Sequence, residues 1–132
     1  MSLILLVDDD TDMLMLTQRW LQKAGYEVIT ASSGEKALET LGVSSDNAAD
    51  TSKASVPDLI LLDYAMPGMD GPAVFKALKA DAHAGRIPVI FRTGVDDAQS
   101  ESVLNTLNPE GVVSKSEGKP ALIGAVARFL QP

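Results

Sequence analysis

The sequence contains no cysteine and a single histidine, His83. Without thiols there are no disulfides and no thiolate zinc sites, and one imidazole makes a histidine metal cluster or a serine triad hard to build. Bases are also scarce. The 11 Lys and Arg residues face 18 Asp and Glu, for a formal charge of −7. That balance opposes docking on nucleic acid or on an anionic lipid surface. No apolar run approaches the roughly 18 residues of a membrane span. The N-terminal stretch Leu3–Val7 is short and lacks the basic flank of a signal peptide, so a cytoplasmic location is expected. Any chemistry falls to carboxylates, hydroxyls and amines.

What is present is a β-α alternation. The 132 residues suit one domain hiding about two thirds of its unfolded surface, and 45% of them are hydrophobic. Five candidate strands are Leu3–Val7, Tyr26–Thr30, Leu59–Leu62, Ile87–Phe91 and Gly111–Ser114. Several are apolar at consecutive positions, which marks strands covered on both faces of a parallel sheet. Helical periodicity fills the gaps. Leu16, Trp20, Leu21 and Ala24 form one stripe that stops at Gly25, and Ser32 with Glu35 suggests a capping box for a helix through Leu41. A third helix opens at Asp70-Gly71-Pro72 and places Val74, Phe75, Leu78 and Ala82 on one face. Val103, Leu104 and Leu107 define a fourth, closed by Asn108-Pro109, and Leu122, Ile123, Val126 and Leu130 a fifth that begins near Pro120. The expected fold is a doubly wound α/β sandwich with helices on both faces. The small, polar segment 42–56 exceeds a usual αβ connection and reads as a mobile surface insertion.

Open parallel sheets bind ligands at the carboxyl ends of their strands. Here those ends read Asp8-Asp9-Asp10, Asp63, Thr93-Gly94 and Lys115. Each has an ordinary structural reading: Asp10 or Thr11 as a helix cap, a strand-end aspartate as a turn former, a lysine as a solvated amine. Convergence of carboxylates, a hydroxyl and an amine on one edge points instead to a site. Clustered carboxylates call for a cation, and Mg²⁺ suits hard oxygen ligands while leaving room for phosphate. A carboxylate beside it can accept a phosphoryl group, with Lys115 and Thr93 contacting the phosphoryl oxygens.

Val7-Asp8-Asp9, Asp63-Tyr-Ala-Met-Pro67-Gly-Met-Asp70-Gly71, Thr93-Gly94 and Lys115 together resemble the receiver domain of two-component response regulators, over nearly the whole chain. The resemblance implies a flavodoxin-like (βα)5 three-layer sandwich with strand order 2-1-3-4-5, the order the family's chemotaxis members illustrate. It implies Asp63 as phosphoacceptor, Asp9 as a direct Mg²⁺ ligand, Asp8 acting largely through water, and the Ala65 backbone carbonyl as a further ligand. Thr93 would bond the phosphoryl group and Lys115 would pair with it. The phosphoryl donor would be a sensor histidine kinase or a phosphotransfer protein. The chain would be a signalling domain rather than an enzyme, its signal leaving through a downstream protein target or an output domain absent from this sequence. Ala65 and Val95 stand where family members influence attack by water, and neither side chain can orient one, which implies slow autodephosphorylation.

Three positions depart from the family pattern. Val112 replaces the usual aromatic three residues before the lysine, and Ser116 the usual proline after it. Arg92, at the end of a buried strand, has either to reach solvent or to pair with an acid. Two alternatives remain open at this point. A haloacid dehalogenase-type phosphatase also uses a strand-end aspartate and Mg²⁺, although Asp12 falls where its motif has Thr or Val and no acidic pair follows Lys115. The other is a non-phosphorylated pseudo-receiver acting only as an interaction module.

Overall fold

A computed structural model describes residues 2–42, 56–94 and 100–130. Apart from Gly42 and Val56, the expected insertion lies outside the described residues, as does Val95. Five parallel strands, β1 (Leu3–Val7), β2 (Glu27–Ala31), β3 (Leu59–Asp63), β4 (Val89–Thr93) and β5 (Gly111–Ser114), form one sheet in the order β2-β1-β3-β4-β5. The helices between and after them are α1 (Thr11–Lys23), α2 (Gly34–Leu41), α3 (Gly71–Ala80), α4 (Ser100–Leu107) and α5 (Gly118–Ala127). This is the flavodoxin-like sandwich expected. Among the described residues, no helix is long and apolar enough to cross a membrane.

Pleat alternation divides the core in two. On one face Leu5, Val7, Ile60, Leu62, Val89 and Phe91 pack with Ala37 of α2, Val74, Phe75 and Leu78 of α3, and Leu104 of α4. On the other, Ile4, Leu6, Leu59, Leu61, Ile90 and Val113 pack with Leu14 and Leu21 of α1 and Leu122 and Val126 of α5. Burial of the apolar strand runs on both faces stabilises the sheet at roughly 25 cal/mol per Å² of apolar surface.

Local chemistry shifts several expected boundaries. β2 starts at Glu27 because the Tyr26 amide donates to Leu21 O and closes the turn after α1. β4 spans 89–93 rather than 87–91, since the Ile87 amide completes the 3₁₀ turn Ala84–Arg86 by donating to Ala84 O. Ser33, not Ser32, caps α2: its Oγ accepts from the Lys36 amide at 3.1 Å, so the position three residues into the helix is a lysine and no capping box forms. Leu16 is exposed on α1, where Leu14, Thr17 and Leu21 are buried instead. Ala82 lies beyond the end of α3 and is exposed, its expected place in the core taken by Ala84.

Candidate functional site

The same alternation builds the site. Continuing the α1/α5 face past its apolar residues, β1 leads to Asp8, β3 to Asp63, β4 to Arg92 and β5 to Lys115, so strand-end charge gathers over one side of the sheet. Asp8 and Asp63 are only 1% and 3% exposed. The Lys115 ammonium lies 3.1 Å from Asp63 Oδ1 and 3.3 Å from Asp8 Oδ2, bridging them. One carboxylate oxygen from each of Asp8, Asp9 and Asp63 lies within 4.8 Å of the others, with Asp9 on the exposed side.

Each group is held by its neighbourhood. Asp8 Oδ1 accepts from the Asp10 amide at 2.9 Å, while Asp10 caps α1 by accepting from the amides of Asp12 and Met13. Past Asp63, the Tyr64 amide donates to Arg92 O and the Gly71 amide to Tyr64 O, both at 2.9 Å. A Cβ at Gly71 would stand 2.5 Å from Asp63 O and 2.9 Å from the Phe91 ring, so the motif's glycine is required by close approach. Asp70 beside it caps α3 by accepting from the Ala73 amide. Lys115 opens a 3₁₀ turn, Lys115–Glu117, closed by a capping box between Ser114 and Glu117. This turn is how the chain enters α5 with Ser116 in the family's proline position.

The electrostatics follow from burial. Desolvation, reinforced by the Asp8 charge and opposed by Lys115, pushes the Asp63 carboxyl up from 3.8 to about 7. Burial alone would lower the Lys115 ammonium, but Asp63 and Asp8 outweigh it and the net shift is upward. Arg92 is held below its ordinary value by desolvation, against the pull of Asp8 and Asp63.

Of the residues expected from sequence, Asp8, Asp9, Asp63 and Lys115 are brought together. Ala65, two residues past Asp63, is exposed between the half-buried Tyr64 and the buried Met66. Thr93 ends β4 beside Ser114 of β5, and by alternation it follows Val89 and Phe91 on the opposite face. The residue β4 sends to the charged face is Arg92. Far from reaching solvent, it is 3% exposed, and its Nη1 donates to Thr17 Oγ1 at 3.0 Å. Thr17 was not legible as part of this neighbourhood, because it belongs to α1 and no local pattern links it to β4.

A family profile for the response regulator receiver domain matches residues 4–127. The chain belongs to that family. The receiver is 39% identical to the alkaline phosphatase synthesis transcriptional regulatory protein PhoP of Bacillus subtilis, over 71% of this chain and 34% of that one. It is 36% identical to the two-component response regulator ORR4 of Oryza sativa, over 67% and 42%. The receiver thus spans less than half the length of these curated relatives. Among solved structures it resembles the chemotaxis protein CheY4 of Vibrio cholerae, with TM-score 0.80 and 25% identity over 98% of this chain and 99% of that one. A response regulator receiver protein from Burkholderia phymatum gives TM-score 0.78 and 26% identity over 98% and 94%. Membership of this family leaves the haloacid dehalogenase alternative without support.

Proposed function

We propose that this receiver takes a phosphoryl group onto Asp63 from a histidine kinase or phosphotransfer protein, with Mg²⁺, and passes the signal on by protein–protein contact. The observation behind this reading is the buried Asp63 carboxylate clasped by Lys115 and crowded by Asp8. The donor set fits a hard divalent cation. It consists of carboxylates within 4.8 Å of one another, and Asp8 Oδ2, buried beside the Lys115 ammonium, has no hydrogen bond. Asp8, Asp9, Asp63 and the Ala65 carbonyl would hold the ion. Bound there, it supplies positive charge that favours ionised carboxylates and neutralises phosphoryl oxygens.

The chain's own residues do the rest. An ionised Asp63 oxygen attacks phosphorus in line while the bond from phosphorus to the donor's histidine nitrogen breaks, leaving an aspartyl phosphate and a free imidazole. Lys115, already 3.1 Å from Asp63, meets the charge of the incoming phosphoryl oxygens, and Thr93, which ends β4 on the other face, would have to turn over the sheet edge to donate a further hydrogen bond. Residues 1–132 act as one receiver unit, and the partner read by it is a downstream protein or an output domain. Val112, 49% exposed on β5, leaves this receiver without the usual aromatic reporter at that position. Intact-mass analysis after treatment with acetyl phosphate and Mg²⁺ tests the assignment. Wild type is expected to gain one phosphoryl group and Asp63→Asn none; equal adducts on both would overturn it, and no adduct on either would favour the pseudo-receiver reading.

A further inference from the structure

Arg92 is a buried charged residue of this edge with no part in the scheme above. It is the register partner of Asp63 on the adjacent strand, so the two side chains start from neighbouring backbones and leave the same face of the sheet. α1 closes over it: Nη1 donates to Thr17 Oγ1 at 3.0 Å, and Nη2 reaches Met13 Sδ at 4.0 Å. Nε has no hydrogen-bond partner, and no carboxylate is bonded to the guanidinium among the described contacts. Thr17 is fully buried. A charge so enclosed is poorly screened, so it acts on its surroundings through the field more than through a bond.

We propose that Arg92 is a built-in counter-cation of the acidic pocket, which balances the buried carboxylates when no divalent ion is present and weakens Mg²⁺ binding when one arrives. The inference rests on the reading of Asp8, Asp9 and Asp63 as a Mg²⁺ site. Lys115, partly exposed, and the buried Arg92 set two positive charges against the two buried carboxyls of Asp8 and Asp63. Only Asp9, on the exposed side, is left in excess. A divalent ion entering this set gains less from the carboxylates than it would beside a single lysine, because a fixed positive charge faces it across a low-dielectric interior. Arg92 does not touch the reacting atoms; it is a positioning residue that sets the potential in which they work. The tether to Thr17 matters for the same reason, since it keeps the guanidinium on the α1 side of the pocket instead of letting it swing toward Asp8.

Calorimetric Mg²⁺ titration of the whole chain, paired with melting curves in chelator and in Mg²⁺, provides the test. Arg92→Met removes the charge at similar volume, and Arg92→Gln removes it while keeping an amide donor for Thr17, so a folding defect in one leaves the other to be measured. Both are expected to bind Mg²⁺ about tenfold tighter or more than wild type and to gain more melting temperature from it, whereas Arg92→Lys keeps the charge and the weaker affinity. A role confined to bracing α1 would lower melting temperature in all three without changing Mg²⁺ affinity according to charge. Equal affinity in wild type and both neutral variants overturns the inference and leaves the metal site standing. Absence of Mg²⁺ binding in every chain overturns both.

Discussion

On the face covered by α2, α3 and α4 the last apolar residues of three strands are Val7, Leu62 and Phe91, whereas the residue after each, on the side of α1 and α5, is Asp8, Asp63 and Arg92. One step along the backbone separates a dry core from a charged pocket. The pleat is what keeps them apart, since successive side chains point to opposite faces. Stability is therefore concentrated on one side of the carboxyl edge and reactivity on the other. Buried carboxylates cost stability where they stand, and the apolar face next to them offsets that cost.

Substitutions along this edge test the division, and the largest effect belongs to the apolar face. Phe91→Ala is expected to lower stability by about 3–5 kcal/mol, read by urea unfolding, because the ring packs against Tyr64 and Phe75 and is fully buried. A loss below about 1 kcal/mol would mean that this face does not hold the edge together. Gly71→Ala crosses the boundary, since its methyl group must displace Asp63 O or the Phe91 ring. A loss of about 1–3 kcal/mol is expected, together with impaired phosphorylation of Asp63, and normal values of both would remove the close-approach explanation.

Asp63→Asn is expected to act in the opposite sense. The folded carboxyl is raised from 3.8 to about 7, so the folded state binds the proton more tightly than the unfolded chain, and metal-free stability falls as pH climbs through that window. Removing the ionisable group should abolish that slope and leave the variant more stable than wild type at pH 8 in chelator. Parallel pH profiles for the two chains would contradict the burial argument. The smallest effect is expected from Thr17→Val, about 1 kcal/mol, from loss of the bond to Arg92. Thermal melting of this variant beside Arg92→Met would show whether the bond or the charge matters more.

The division between the faces was only partly visible in the sequence. The apolar runs and the residues just past them were legible because each is a local pattern: Leu59–Leu62 announces a buried strand and Asp63 its end. So was Asp70, which caps α3 three residues on, whereas the close approach of Gly71 to the Phe91 ring was not. Positions decided across the fold were not. Thr17 looks like a polar residue on a helix beside Leu16, yet Thr17 lies on the buried stripe with Leu14 and Leu21, where its hydroxyl accepts from a guanidinium 75 positions away. Ile87 looks like the first residue of β4 because it is apolar, but its amide is already committed to a turn. The one-residue shift at Ser33 arises where two adjacent serines offer the same cap and the packing of Ala37 and Gly34 chooses between them.

The short turn at Lys115–Glu117 has a consequence for how this receiver adjusts its chemistry. Its geometry is set by hydrogen bonds among Ser114, Ser116 and Glu117, all at the surface and all within four residues of sequence. The ammonium that bridges the two buried carboxylates therefore hangs from a bracket outside the core. A change at Ser116 or Glu117 is expected to act on the position of the Lys115 ammonium before it acts on the strands. On the proposed reading the turn is a tuning screw, through which the ease of phosphorylation at Asp63 would change while the apolar framework stays the same.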